Sequence, residues 1–528
     1  MKSNKKRHRL AIFCLCHSVL LTSCTVLASS SVDKTTQGEN AQQTHSVELS
    51  GLAYKTVSQL SEDMANGELT SVELVQFLLQ RIETLDKQGP AINAVVELNP
   101  EALAIAAQRD NERLEGELRG PLHGIPVLLK DNISTADTLQ TTAGSLALLG
   151  EPVGYDADVV RKLREGGAII LGKANLSEWM GFRGTNVPNG WSGRGGKTLN
   201  PHVLQADPCG SSTGSAVAVA AGLVPLSVGT ETNGSINCPA FANGVVGVKP
   251  TRAVIDTSGI VVFSVKQDTL GAFARTVSDA AALLGLMLDN PVDLTAALDP
   301  FALQGKRIGY PDRFIPGSSE WDKNPDFVKA LTVLKDAGAT LVPVAPVQQQ
   351  FDHYFEFMAM EFNLAVNAYL ASREDSAAKD LTQLIAFNDQ SSEGRDYNQA
   401  FIELAHATPY DRVRYDELWK ALYTFHQQEI DNTLTRNAVD AVIDVPISIV
   451  SSVIPLIGYP SVTLPNGLDH NGLPTGLYFY GAQGSDSQLL SMAYAYEQLR
   501  PMRQNPAFRS APQRNDFKQL PAPWVFND

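Results

Sequence analysis

The sequence predicts an α/β protein in which one sheet is covered by helices on both faces. A helix, a glycine stop and a strand occur in that order twice, in "DVVRKLREGG" followed by "AIILG" and in "GSAVAVAAG" followed by "LVPLSVGT". The strands of both units are apolar throughout rather than alternating. That is the pattern of strands buried on both sides.

Taken in order, Thr70-x-x-Glu73 reads as a capping box, and Val72, Val75, Leu78, Leu79, Ile82 and Leu85 follow at helical spacing, which predicts an amphipathic helix with one buried face. Residues 102–116 repeat the helical character. The apolar run Ile125 to Leu129 within "GPLHGIPVLLKDNI" reads as a buried strand ending at Lys130. From about 315 to 430 the texture shifts to long helical stretches rich in aromatics and charge, either an inserted cap or further flanking helices. "AVDAVIDVPIS" and "GLYFYGAQG" return to strand character, and "DSQLLSMAYAYEQL" reads as a closing helix. The proline-rich end from Pro501 lacks periodicity and is expected to wrap the surface.

With 528 residues, 44% of them hydrophobic, the chain can bury a sizeable core. Its formal charge is −15, and because the first 23 residues carry five basic groups and no acid, the remainder stands at about −20. A nucleic-acid partner is not expected of so acidic a surface. The first 23 residues read as an export signal, with a basic start and an apolar run from Leu10 to Leu21 that is too short for a comfortable membrane span. Leu21-Thr22-Ser23-Cys24 resembles the bacterial lipobox, which implies lipidation at Cys24 and a place on the cell envelope, with the anchor as the only membrane contact. Plain signal cleavage near Ala28 is the alternative. Residues 24–50 are polar and aperiodic, as a tether would be, and 51–528 are expected to form one domain.

For chemistry, Gly210-Ser211-Ser212-Thr213-Gly214 fits G-x-S-x-G, but Asp207-Pro208 breaks the strand that a nucleophile elbow requires. "GRGGKT" lacks the first glycine of a phosphate loop, since position 191 is Trp191. No metal-ligand spacing occurs, so neither a metal nor another cofactor is expected. "GTETNGSINCPA" offers Ser235 and Cys238 as nucleophiles with no histidine nearby, and Cys238 next to Pro239 reads as a buried residue of an apolar strand. A serine without histidine needs another base, and Lys130 follows three apolar residues. An ordinary lysine, with a pKa of about 10.4, is neutral in only about 1 part in 2,500 at pH 7. To act as a base its pKa must fall by roughly 2–3, worth about 3–4 kcal/mol, which burial supplies.

"LHGIPVLLKDNI", "TTAGS", "GSSTGSAVAVAAGLVPLSVGTETNGSINCPAFANGVVGVKPT" and "GYPSVTLPNG" with "GLPTGLYFYG" occur in the order and spacing of the amidase signature family, which the chain resembles from about residue 55 to 500. The resemblance implies a mixed central sheet and a Ser–Ser–Lys triad without cofactor. Position by position, the nucleophile falls on Ser235, the bridging serine, which typically follows a cis peptide, on Ser211, and the base on Lys130. Ser212 falls on a supporting serine. Residue chemistry agrees: Ser211 can pass a proton between Ser235 and Lys130, and the backbone N–H groups of Thr232, Asn233 and Gly234 can form an oxyanion nest. Where the family reads T-D-x-G-G-S-I-R, this chain has Glu231, Asn233 and Asn237, so an Asp–Arg ion pair is absent and an asparagine replaces a glycine in the nest. These features resemble the peptide amidase branch. The expected activity is cleavage of carboxamide C–N bonds in a small-molecule or peptide amide, including C-terminal peptide amides. An esterase-leaning hydrolase of the same fold, or an envelope binding lipoprotein without activity, are the alternatives. If Ser211 and Ser235 meet, Cys209 and Cys238 come close enough that either a disulfide or two buried thiols would fit. Neither oligomeric state nor substrate is legible.

Overall fold

The computed structural model describes residues 51–390 and 397–510; the segments expected to be an export signal and a tether bearing Cys24, and residues 511–528, lie outside that range. Its strands in chain order are β1 (Val95–Leu98), β2 (Pro126–Lys130), β3 (Ile169–Ala174), β4 (Trp191–Ser192), β5 (Gly196–Lys197), β6 (Leu226–Glu231) and β7 (Val246–Lys249). There follow β8 (Thr269–Ala274), β9 (Arg307–Pro311), β10 (Thr340–Val344), β11 (Ala441–Asp444), β12 (Ser461–Leu468) and β13 (Pro474–Tyr480). Eleven of them form one sheet in the order β1-β3-β2-β6-β8-β7-β12-β13-β11-β9-β10, while β4 and β5 make a separate hairpin.

The sheet is mixed. β2 lies between β3 and β6 and is parallel to both, whereas β8 runs antiparallel to β6 and β7. The apolar runs become central strands because every residue of β2, β3, β6, β7 and β8 is buried. Complete burial of a side chain such as Val127 or Leu128 contributes about 1.5–3 kcal/mol, so a polar substitution in these runs would be felt throughout the sheet. Thr70 and Glu73 cap the helix Ser71–Arg81 reciprocally, as the sequence predicts. Helices Asp158–Glu165 and Thr213–Ala220 likewise precede β3 and β6.

Two elements depart from the sequence reading. Residues 237–243 form a short helix, not an apolar strand, because Pro239 sits in its first turn, where the missing N–H costs nothing, and the left-handed Gly244 ends it. Within the stretch read as helical, Thr340–Val344 is a strand, extending the sheet at its edge by parallel pairing with β9. The helices Tyr354–Ser372, Leu381–Gln390, Ala400–Ala407 and Arg412–Arg436 do follow, and the first three, with the start of the fourth, close a second apolar core with Trp179, Phe182 and Phe263. "GRGGKT" forms the turn and second strand of the β4–β5 hairpin. Residues 508 and 509 run along 201–204, with Phe508 N–H bonded to Pro201 and Leu204 N–H to Arg509. No helix among the described residues is long and apolar enough to cross a membrane.

Candidate active site

Lys130 ends β2 at the carboxyl edge of the parallel β3-β2-β6 segment, and its side chain is fully buried. β6 ends beside it at Glu231, so the turn 232–235 projects from the same edge. The Lys130 Nζ lies 2.7 Å from Ser211 Oγ, 2.9 Å from Thr230 Oγ1 and 3.2 Å from the Thr230 carbonyl oxygen. Burial pushes the lysine down to about 7, against the opposing pull of the Asp268 and Glu231 carboxylates. A large fraction of this amine is therefore neutral at neutral pH, which the sequence argument demands of a base.

Ser211 follows a cis Gly210–Ser211 peptide and precedes the helix Thr213–Ala220. Its carbonyl accepts the Ser177 N–H at 3.0 Å. Ser212 starts the same helix, but its hydroxyl is occupied elsewhere, donating to the Thr230 carbonyl at 2.9 Å and accepting the Thr230 N–H at 3.2 Å. The Ser212 N–H also donates to the Ser235 carbonyl at 3.3 Å. These bonds fasten the Ser211 loop to the turn bearing Ser235. Ser235 Oγ is buried with no hydrogen-bond partner among the described residues, in contrast to the two other serines.

The turn itself is built around an acid. Glu231 Oε2 accepts the N–H groups of Ile236 at 2.5 Å and Asn237 at 3.0 Å, with that of Gly234 also facing the carboxylate. Gly234 has φ 76°, in the left-handed region, which brings the chain round sharply just before Ser235. Burial raises the Glu231 carboxyl, and the buried Lys249 ammonium is the largest opposing influence. Asn237 turns its Nδ2 to the Pro446 carbonyl at 2.8 Å and accepts from Thr463.

Cys209 and Cys238 form a disulfide, with their Cα atoms 5.8 Å apart. Cys238 therefore offers no thiol. The bridge ties the segment two residues before Ser211 to the helix three residues after Ser235. No hydrogen bond among the described residues joins a histidine to Ser211, Ser212 or Ser235. Nor does any group of three or more metal-binding side chains occur among the described residues.

The Amidase family model matches residues 73–453, and a probable amidase of Arabidopsis thaliana is 38% identical over 474 residues, covering 86% of this chain and 91% of its own. The chain belongs to the Amidase family. This amidase is a hydrolase acting on amides, and it resembles the native peptide amidase from Stenotrophomonas maltophilia, with a TM-score of 0.80 at 42% identity over 86% of this chain and 99% of that one. An amidase family protein from Bacillus anthracis str. Ames superposes with a TM-score of 0.81 at 32% identity, covering 90% and 95% of the two chains.

Three groups around the amidase site are assigned no role from the sequence. Asp268 accepts the Thr232 hydroxyl at 2.5 Å and the Phe263 N–H at 2.7 Å, and burial pushes its carboxyl up to about 7. It reaches Thr232 because Thr269 pairs with Glu231 across the antiparallel β6–β8 ladder. Asn132 donates to Thr230 Oγ1 at 3.2 Å, steadying the hydroxyl beside Lys130. Tyr354, from the aromatic helical stretch, accepts the Asn233 Nδ2 donor at 2.8 Å. Asn132 lies within the Lys130 motif but its partner Thr230 does not, and only strand register or helix docking brings each of the three to the site.

Proposed function

We propose that the protein hydrolyses C-terminal amides of peptides through a Ser–Ser–Lys relay and an acyl-enzyme on Ser235. Neutral Lys130 takes the Ser211 proton while Ser211 takes that of Ser235, whose oxygen attacks the carboxamide carbon. The oxyanion meets the backbone N–H groups of Thr232 and Asn233, while that of Gly234, expected in the same nest, is turned to the Glu231 carboxylate. The proton then returns along the relay to the leaving nitrogen, the C–N bond breaks, and ammonia departs. Water attacks the acyl-enzyme with the same proton path in reverse, releasing the acid and restoring the Ser235 hydroxyl. The observation that carries this reading is the buried Lys130 amine 2.7 Å from Ser211 Oγ, on a loop bonded to the Ser235 turn. The peptide-amide choice rests on the likeness to the Stenotrophomonas maltophilia enzyme and on the Asn233 and Asn237 positions.

The test is a panel of peptide amides, aryl amides, fatty amides and matching esters, assayed with wild type, Ser235→Ala and Lys130→Ala. Peptide amides should be the best substrates, and both variants should lose at least about 100-fold at neutral pH. Full activity in Ser235→Ala would sink the nucleophile, and full activity in Lys130→Ala at pH 7 would remove the lysine as base. We also propose that the chain is exported and held on the cell envelope by lipid at Cys24, with residues 25–50 as tether.

A further inference from the structure

Asn233 carries an acceptor that its surroundings leave unmatched. Its side chain is fully buried, and its amide orientation follows from its neighbours. The Ser452 carbonyl, 3.4 Å away, can only accept, so the NH2 end must face it. The same NH2 donates to the Tyr354 hydroxyl at 2.8 Å, and Tyr354 in turn donates to Gln267 Oε1 at 3.1 Å. Gln267 is fixed the same way round, since its NH2 group faces the sulfur of Met358 at 2.9 Å. Each amide nitrogen and hydroxyl of this chain thus has a partner, whereas Asn233 Oδ1 is a buried oxygen with no hydrogen-bond partner among the described residues.

A buried acceptor without a donor costs about 1–3 kcal/mol, and a site tolerates that cost where a ligand supplies the missing donor. Asn233 stands two residues before Ser235, in the turn whose Thr232 and Asn233 N–H groups are proposed to meet the oxyanion. Ser235 Oγ, the attacking atom, is the other unmatched buried oxygen of that turn. The scissile carbon carries three groups: the acyl chain, the oxygen drawn to the backbone donors, and the leaving nitrogen. Of the atoms bonded to that carbon only the nitrogen of a carboxamide carries N–H donors; the acyl chain's own peptide N–H lies one bond further off and is common to amide and ester.

We propose that Asn233 Oδ1 accepts an N–H of the substrate's leaving nitrogen and so selects carboxamides, above all primary ones, over esters of the same acid. An NH2 group can satisfy the acceptor and still receive the relay proton on its lone pair. A dialkyl amide or an ester has no hydrogen to offer and leaves Oδ1 buried and unmatched. The family motif has glycine at this position and so lacks the acceptor. This inference rests on the proposed amide hydrolysis at Ser235 and names the feature that sets its amide preference.

The experiment compares N-acetylphenylalaninamide, its N-methylamide, its N,N-dimethylamide and its methyl ester, which share one acyl group, in wild type, Asn233→Ala and Tyr354→Phe. Wild type should prefer the primary amide, then the N-methylamide. In Asn233→Ala the ratio of amide to ester kcat/KM should fall about 10- to 100-fold, because the ester never used the lost contact. Tyr354→Phe, which keeps Oδ1 and the Ser452 contact but removes the shorter of the two bonds that hold the amide, should lower the ratio less. Circular dichroism and the urea midpoint of each variant report whether it is still folded. An unchanged ratio in Asn233→Ala, or an equal loss on amide and ester, would overturn the inference. Failure of the underlying reading looks different: Ser235→Ala would then retain activity on all four compounds.

Discussion

Lys130 is set apart from the other lysines of the site by what it touches. Its amine meets the Ser211 and Thr230 hydroxyls, and burial brings it down to about 7, whereas Lys249, also buried and lowered to about 8, donates to the Pro250 carbonyl. If neutral Lys130 is the base, kcat/KM should climb through pH 7 and level off above it. The Asp268 carboxylate favours the charged lysine, so Asp268→Asn should move that acid limb to lower pH; a limb that stays or moves up would count against the coupling. Stability carries the opposite face of the same burial. Because the folded pKa lies below the unfolded value of 10.5, the unfolded chain binds the extra proton between about pH 7 and 10.5. The penalty is complete below about pH 7 and vanishes above 10.5. Lys130→Met should therefore raise stability by a few kcal/mol (roughly 2–4) at pH 7 and by less at pH 10, read from urea midpoints.

At the scale of elements, the site is a junction of three backbone segments held by different means. β2 brings Lys130 and β6 brings the Ser235 turn through parallel pairing, which fixes their edge to within the register of the ladder. The Ser211 loop belongs to neither strand and is fastened by Ser212, by Ser177 and by the Cys209–Cys238 bridge. That bridge closes a loop with a sequence separation of 29, for which loop entropy predicts about 3–4 kcal/mol of stabilisation. The Cys209→Ser, Cys238→Ser double variant should lose about that much in denaturant unfolding and should lose kcat more than KM rises, since the two serines are then positioned by hydrogen bonds alone. A stability equal to wild type would mean the bridge restrains nothing.

Across the whole molecule, the sheet core and the helical core stand on opposite duties. The sheet carries Lys130 and Ser235, and the helical layer reaches the site through Tyr354. If Cys24 holds the chain to a membrane, Cys24→Ala should release it to the soluble fraction with kcat and KM unchanged, measured on fractionated cells. Wild type recovered entirely in the soluble fraction would refute the anchor.

Local pattern was enough for the fold class, because helical periodicity, glycine stops and apolar strand runs are short-range signals. Lys130, Ser211 and Ser235 came from likeness to the family's motifs, since local pattern alone leaves Lys130 an ordinary lysine at a strand end. Pattern misread Cys238, since three apolar neighbours and a proline look alike in a strand and in the first turn of a short helix. It missed β10, whose strand state depends on an edge of β9 that lies about thirty residues earlier. Asp268, Asn132, Tyr354 and Lys249 were beyond its reach for a single reason. Each acts through a neighbour distant in sequence, and cross-strand register, helix docking and the burial that shifts a pKa exist only once the chain has closed around them.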